Sequence, residues 1–253
     1  MKKTIIIILI SGMVLIAVLW GASRQLGWFE EKEPVDTFVY DESIPIDLEN
    51  KTRVYDLVIL DMSGSMLEIR QSVVDGFNAL IDGLREANHR FAGTQEHLLS
   101  LLVFNTREIR FVYYNKPIDS VSPLTLNDYQ PMSGTPLYDA MGGSMSIMMD
   151  VVDTIPEHNV MVTVITDGLE NSSVYYSKTL ISWMIKHLSE QKWSFSFMGT
   201  DNAVLQQAIN MNIDSVYFFE QTDTGTLNAL SLDEKSRLSK SRAIDSIRRR
   251  NNY

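Results

Sequence analysis

Two short apolar runs constrain this chain more than any other feature. Residues 54–60 read VYDLVIL and residues 160–166 read VMVTVIT, and each run leads directly into an aspartate, Asp61 and Asp167. A strand with one wet face alternates apolar and polar residues. A run apolar at nearly every position is a strand covered on both faces, as parallel strands between two helix layers are. The rest of the chain fits that scheme. Residues 66–86 carry apolar side chains at 66, 69, 73, 77, 80, 81 and 84, the three-and-four spacing of an amphipathic helix. Strands are expected at 98–104, 109–114, 193–198 and 216–219, and helices at 136–153, 177–190, 201–210 and 226–248. Segment 109–114 follows 98–104 after the turn at Asn105-Thr106, so it pairs as a hairpin at a sheet edge. Residues 115–134, with Pro117, Pro123 and Pro131, read as a long loop with one helical turn. The order β-α-β-β-α-β-α-β-α-β-α implies an α/β fold: a doubly wound, mostly parallel six-stranded sheet with one antiparallel edge strand.

Ahead of this body lies an apolar run from 4 to 22, preceded by Lys2-Lys3. Nineteen helical residues span about 28 Å, close to the hydrocarbon thickness of a bilayer. Trp20 and Trp28 stand near its outer end, where indoles favour the interface. Residues 1–28 therefore read as an N-terminal transmembrane helix acting as an uncleaved signal anchor, with a signal peptide cleaved after Ser23, and a secreted body, as the alternative. The basic flank stays inside, so the body is expected outside the cytoplasm. Residues 29–52, with eight acids and two prolines, read as an acidic tether. The domain proper is expected over 53–225, followed by a C-terminal helix and basic tail over 226–253.

The net charge of −10 is unevenly spread. Residues 29–234 hold 12 bases against 31 acids, whereas 235–250 hold seven bases and one acid. A body this acidic repels phosphate backbones, so nucleic acid is not expected as a partner. With no cysteine in the chain, disulfides, thiolate metal sites and thiol nucleophiles are excluded.

Three segments carry the chemistry: Asp61-Met62-Ser63-Gly64-Ser65 after the first strand, Gly134-Thr135-Pro136 at the start of a helix, and Thr166-Asp167-Gly168 after the fourth strand. Each has a local reading. Ser65 with Glu68 matches a capping box, Thr135 before Pro136 an N-cap with proline at the first helical position, and Asp167-Gly168 a turn. All three also fall on the carboxyl edge of the sheet. In a doubly wound order 3-2-1-4-5-6, the first and fourth strands are neighbours at the switch point. Two carboxylates and three hydroxyls, Asp61, Ser63, Ser65, Thr135 and Asp167, then converge. They form a set of hard oxygen donors suited to Mg²⁺ or Mn²⁺, with room for an outside ligand.

On these motifs (DMSGSM after an apolar strand, GTPLYDA, and VITDG before an Asn-Ser loop) the chain resembles the von Willebrand factor A (VWA) domain family over about residues 52–225. It is more similar to compact bacterial members than to secreted animal ones. The resemblance implies a Rossmann-like VWA fold with a complete metal-ion-dependent adhesion site. Ser63, Ser65 and Thr135 would bind metal by hydroxyl, with Asp61 and Asp167 direct or through water, and the carboxylate of a protein partner would complete the shell. The implied function is metal-dependent protein binding or adhesion at a membrane. The alternative is a regulatory or assembly subunit docking on a larger complex such as an ATPase.

Catalysis finds less support. A haloacid-dehalogenase-type phosphatase needs a second aspartate two residues after the first, and Ser63 stands there; neither GxxxxGK[ST] nor GxSxG occurs. The protein is therefore expected not to be an enzyme. His89, His97, His158 and His187 show no ligand spacing and read as surface or helix-end residues. Tyr138, Met141, Met145, Met148 and Val152 step by three and four and read as the core face of their helix. Gly142-Gly143 in that helix is expected to permit close packing on the sheet, and Arg248–Arg250 to complement the dipole of the last helix, with an anionic-lipid or protein contact as the alternative.

Overall fold

The computed structural model describes residues 51–251, apart from Asp214 and Gln221. The anchor over 1–28 and almost all of the tether lie outside the described residues. Among the described residues no helix is long and apolar enough to cross a membrane. The body from Leu48 to Tyr253 forms one compact unit.

Six strands form one sheet: β1 (Thr52–Asp61), β2 (Gln95–Phe104), β3 (Ile109–Pro117), β4 (His158–Ile165), β5 (Trp193–Gly199) and β6 (Ser215–Phe218). The spatial order is β3-β2-β1-β4-β5-β6. Every neighbouring pair is parallel except β2–β3. The helices are α1 (Arg70–Arg90), α2 (Leu137–Val152), α3 (Lys178–Ser189), α4 (Asn202–Ile209) and α5 (Asp223–Asn251). The apolar runs have the expected cause. Leu57 and Ile59 of β1 point into a core shared with α2, α3 and α4, while Val58 and Leu60 point into a second core under α1 and α5. With both faces covered, no position of the run is left for a polar residue to face water.

Several local expectations are corrected. The first helix does not begin at Met66. A 3-10 turn occupies Gly64–Leu67 and α1 follows from Arg70, although Met66, Ile69, Val73, Phe77, Leu80, Ile81 and Leu84 all lie in the core as their spacing requires. Strand β3 runs on to Pro117, with a register shift against β2 and Asn115 at φ 45°. The Met141, Met145, Met148 and Val152 face is buried as expected. Gly142, however, packs against Tyr176 rather than the sheet: a Cβ there would lie 2.0 Å from the tyrosine ring, whereas Gly143 faces open space.

The histidine expectation fails at His97, which is fully buried on β2 with Nδ1 2.8 Å from Asp56 Oδ2 on β1. Asp56 also takes a hydrogen bond from the Arg237 guanidinium of α5. The same guanidinium donates to Asp233 Oδ2 at 2.7 Å and Thr163 Oγ1 at 2.5 Å. A buried charge is tolerated when it is paired and hydrogen-bonded, and this network ties the last helix to the middle of the sheet. α5 also buries Ala229 and Leu230 in the α1 core and runs unbroken across residues 225 and 226.

Candidate metal centre

The parallel register sets Leu60 beside Ile165, so β1 and β4 end together and release Asp61 and Thr166-Asp167 side by side. Immediately after β1 the chain turns back. The Ser63 amide donates to Asp61 Oδ1 at 2.7 Å, and the Tyr129 hydroxyl donates to the Asp61 carbonyl at 2.6 Å. The Asp61 carboxylate is wholly enclosed, and its second oxygen accepts from Thr166 Oγ1 at 2.6 Å. Ser63 and Ser65 hydroxyls lie 3.2 Å apart, and Ser65 Oγ donates to Asp167 Oδ1 at 2.6 Å. The Ser65–Glu68 capping box does not form, because the Ser65 hydroxyl is turned across the sheet edge to Asp167.

Thr135 arrives from the third segment. Ser133, at φ 68°, aims its carbonyl at the Gly64 amide, 3.0 Å away, and so clamps this loop onto the turn after β1. Gly134 has room only for hydrogen, since a Cβ there would fall 2.7 Å from Ser172 Oγ. Thr135 is buried and does not cap α2. Pro136 occupies the cap position, without a side-chain cap bond, and the helix begins at Leu137. The Thr135 amide donates to Asn171 Oδ1 at 2.9 Å, and the Asn171 amide returns to the Thr135 carbonyl at 3.2 Å. A Cβ built on Gly168 would stand 3.5 Å from Thr135 Oγ1 and 3.9 Å from Ser65 Oγ. Both hydroxyls therefore border the backbone that follows Asp167.

All five expected residues thus gather at one sheet edge. Sequence reasoning missed the residues that support them. Tyr129 and Thr166 fix Asp61, and Asn171 fixes Thr135. Two carboxylates hold the loop after Asp167. Glu170 accepts from the amides of Tyr138, Ser172 and Ser173, and Asp139 accepts from those of Val174, Tyr175 and Tyr176. Thr166 lies within the quoted Thr166-Asp167-Gly168 segment and Asn171 opens the Asn-Ser loop after it, though sequence reasoning gave neither a supporting role; Tyr129 carries no local signal.

Burial pushes the Asp61 carboxyl up to about 6, against the lowering hydrogen bonds from Thr166 and Ser63, and the nearby Asp167 charge adds to the rise. Two carboxylates that resist joint ionisation are relieved by a cation. The donor set contains only hard oxygens, and among the described residues no group of three or more His, Asp or Glu side chains gathers as an alternative. The residues therefore fit a small divalent cation in their chemistry. Leu67, Met132 and Leu169, each two residues along the chain from Ser65, Gly134 or Asp167, are exposed.

No protein-family model matches the chain, and no curated protein sequence matches it. Solved structures do match. The pilus adhesin SpaC from Lactobacillus rhamnosus GG superposes with a TM-score of 0.56 at 12% identity, over 76% of this chain and 31% of that one. The SpRpn10 VWA domain superposes with a TM-score of 0.50 at 6% identity, over 70% of this chain and 94% of that one. Proximal thread matrix protein 1 from the mussel byssus gives 0.48 at 13% identity, over 74% and 46%. The chain thus spans less than half the length of SpaC and of the byssus protein. At such identities the likeness is one of fold, and the described residues adopt the VWA fold.

Proposed function

We propose that the chain is a membrane-anchored VWA protein that uses a divalent cation, Mg²⁺ or Mn²⁺, to bind the carboxylate of a protein partner outside the cytoplasm. The observation that carries this reading is the meeting of Asp61, Ser63, Ser65, Thr135 and Asp167 at the adjoining ends of β1 and β4. The hydroxyls of Ser63, Ser65 and Thr135 would face the ion, with Asp61 and Asp167 direct or through water. When bound, the cation supplies the positive charge that an acidic body otherwise lacks. Exposed Leu67, Met132 and Leu169, close to the site residues in the chain, accord with a protein partner rather than a small free acid, because exposed apolar side chains near a polar centre suit a macromolecular contact. The SpaC likeness accords with adhesion, since that protein is a pilus adhesin. The reading is one of binding rather than turnover: Ser63 stands where a haloacid-dehalogenase-type phosphatase needs its second aspartate.

The test is titration calorimetry of residues 48–253 with Mg²⁺ and with Mn²⁺, on wild type and Asp61→Asn, followed by capture of binding proteins with the ion and with EDTA. Ion binding lost in the variant, and capture lost in EDTA, are expected. Equal ion binding by both proteins, or capture undiminished in EDTA, would refute the reading.

A further inference from the structure

The basic residues of this acidic protein are placed unevenly in space as well as in sequence. β1 runs from Thr52 to Asp61, so the end opposite the metal centre lies about 30 Å away. The tip of α5 arrives at that far end. Asp245 Oδ1 accepts from Thr94 Oγ1 at 2.6 Å, and Arg248 lies 3.6 Å from Glu157. The carbonyls of Thr94 and Glu157 in turn receive the amides of Thr52 and Arg53, at 2.8 and 3.0 Å. Lys192 reaches the same Glu157, at 3.7 Å. Glu96 feels the charges of Arg53 and Lys51, although burial sets the direction of its shift, upward. Six bases (Lys51, Arg53, Lys192, Arg248, Arg249 and Arg250) therefore surround three acids, Glu96, Glu157 and Asp245. These bases cluster on a chain whose residues 29–234 hold 12 bases and 31 acids, Asp153 and Glu190 among them at this edge.

The geometry points to a second binding surface here: the tip of α5, with Lys51, Arg53 and Lys192, takes the phosphate headgroups of an anionic bilayer. Complementing the helix dipole accounts for basic residues in the last turn of α5. It does not account for Lys51, Arg53 and Lys192, which lie on other elements. Nor does it account for Ile247, which is 59% exposed among the arginines. An apolar side chain within a basic rim suits a bilayer interface. A lipid surface is favoured over an acidic protein by where the chain comes from. β1 begins at this edge, and the apolar run 4–22 precedes it by a stretch, 23–51, that spans at most about 95 Å. This step rests on the reading of residues 1–28 as an anchor. Anchoring keeps the patch near the bilayer, so contacts weak in solution are reinforced by effective concentration. With that end on the headgroups, the metal centre faces away from the membrane that carries it.

Residues 48–253 have cores on both sheet faces, so the body is tested without the anchor. It is sedimented with phosphatidylcholine vesicles with and without phosphatidylglycerol, in EDTA and at low salt. Binding to the anionic vesicles alone is expected, weakening as salt rises. Each arginine near an anionic surface contributes about 1 kcal/mol, close to fivefold, so Arg248→Ala/Arg249→Ala/Arg250→Ala should bind about a hundredfold more weakly. Circular dichroism should show that variant folded, and Ile247→Ser should weaken binding in the folded state too. Asp61→Asn should bind vesicles like wild type. Equal sedimentation with neutral vesicles, or no loss in the triple variant, would overturn the proposal. So would retention on immobilised polyglutamate without vesicle binding, which would assign the patch to an acidic protein. Membrane fractionation of the full chain tests the anchor separately, so failure of one reading does not mimic failure of the other.

Discussion

In the metal-free protein, Asp61→Asn should raise stability at neutral pH, and the gain should disappear in acid. The Asp61 carboxyl titrates at about 6 in the folded chain, against an ordinary value of 3.8, chiefly because it is enclosed. An acid whose folded value is raised destabilises the fold wherever it is ionised in both states. The cost is complete above about pH 6 and shrinks as pH falls, reaching zero below the unfolded value. At 1.36 kcal/mol per unit the full cost is about 3 kcal/mol. The amide has no such cost, and its oxygen can still accept from the Ser63 amide. Urea denaturation of both proteins in EDTA between pH 4 and pH 8 checks this. The variant's advantage should grow by about 2–3 kcal/mol across the range. Adding Mg²⁺ at a hundred times its dissociation constant should then stabilise wild type by about 2.7 kcal/mol and leave the variant unmoved. A pH-independent difference between the two proteins would refute the reasoning, because it would mean that the enclosed carboxylate costs the fold nothing.

Three further outcomes are expected. Arg237→Ala strands Asp56 and Asp233 in the core and should cost about 3–5 kcal/mol in urea denaturation, while Arg237→Met with both Asp56→Asn and Asp233→Asn should recover much of that. Gly143→Ala, facing open space within α2, should raise stability by about 0.5–1 kcal/mol, whereas Gly142→Ala collides with Tyr176 and should lower it by about 1–3 kcal/mol; thermal melting separates the two. Ser65→Ala should weaken metal binding in calorimetry and, in the metal-free protein, cost about 1–2 kcal/mol through the lost bond to Asp167; Ser177→Ala, which removes the bond to the Leu180 amide at the start of α3, should cost about 1 kcal/mol.

The layered sheet was legible because burial on both faces leaves its mark at every residue of a strand, and the candidate-site residues because they follow a strand end or precede a helix start. What escaped depended on distance along the chain. Ser65 resembles a cap in its local sequence, and only the return of β4 beside β1 presents Asp167 to its hydroxyl. Asp56 was a visible anomaly, a charge inside VYDLVIL, but its partner Arg237 lies 181 residues away. Domain-end periodicity was faint for a related reason. The inward face of α5 carries Asp233, Arg237 and Ser241, all buried, in place of an apolar stripe. Tyr129, wholly buried in a proline-rich loop, has no sequence neighbour that betrays its bond to Asp61.

The pairing of Asp56 with Arg237 also orders events in time. Asp56 emerges from the ribosome with the first strand of the sheet, and Arg237 with the last helix. At about 5–20 residues per second the interval is roughly 10–35 s. Throughout it, closing the sheet over β1 would leave the Asp56 carboxylate with His97 of β2 but without the guanidinium, and partial folding is penalised by the same physics that secures the finished core. The chain thus has a built-in reason to stay open until its C-terminal helix has been made. A chain that stops short of α5 lacks the guanidinium that completes this buried network.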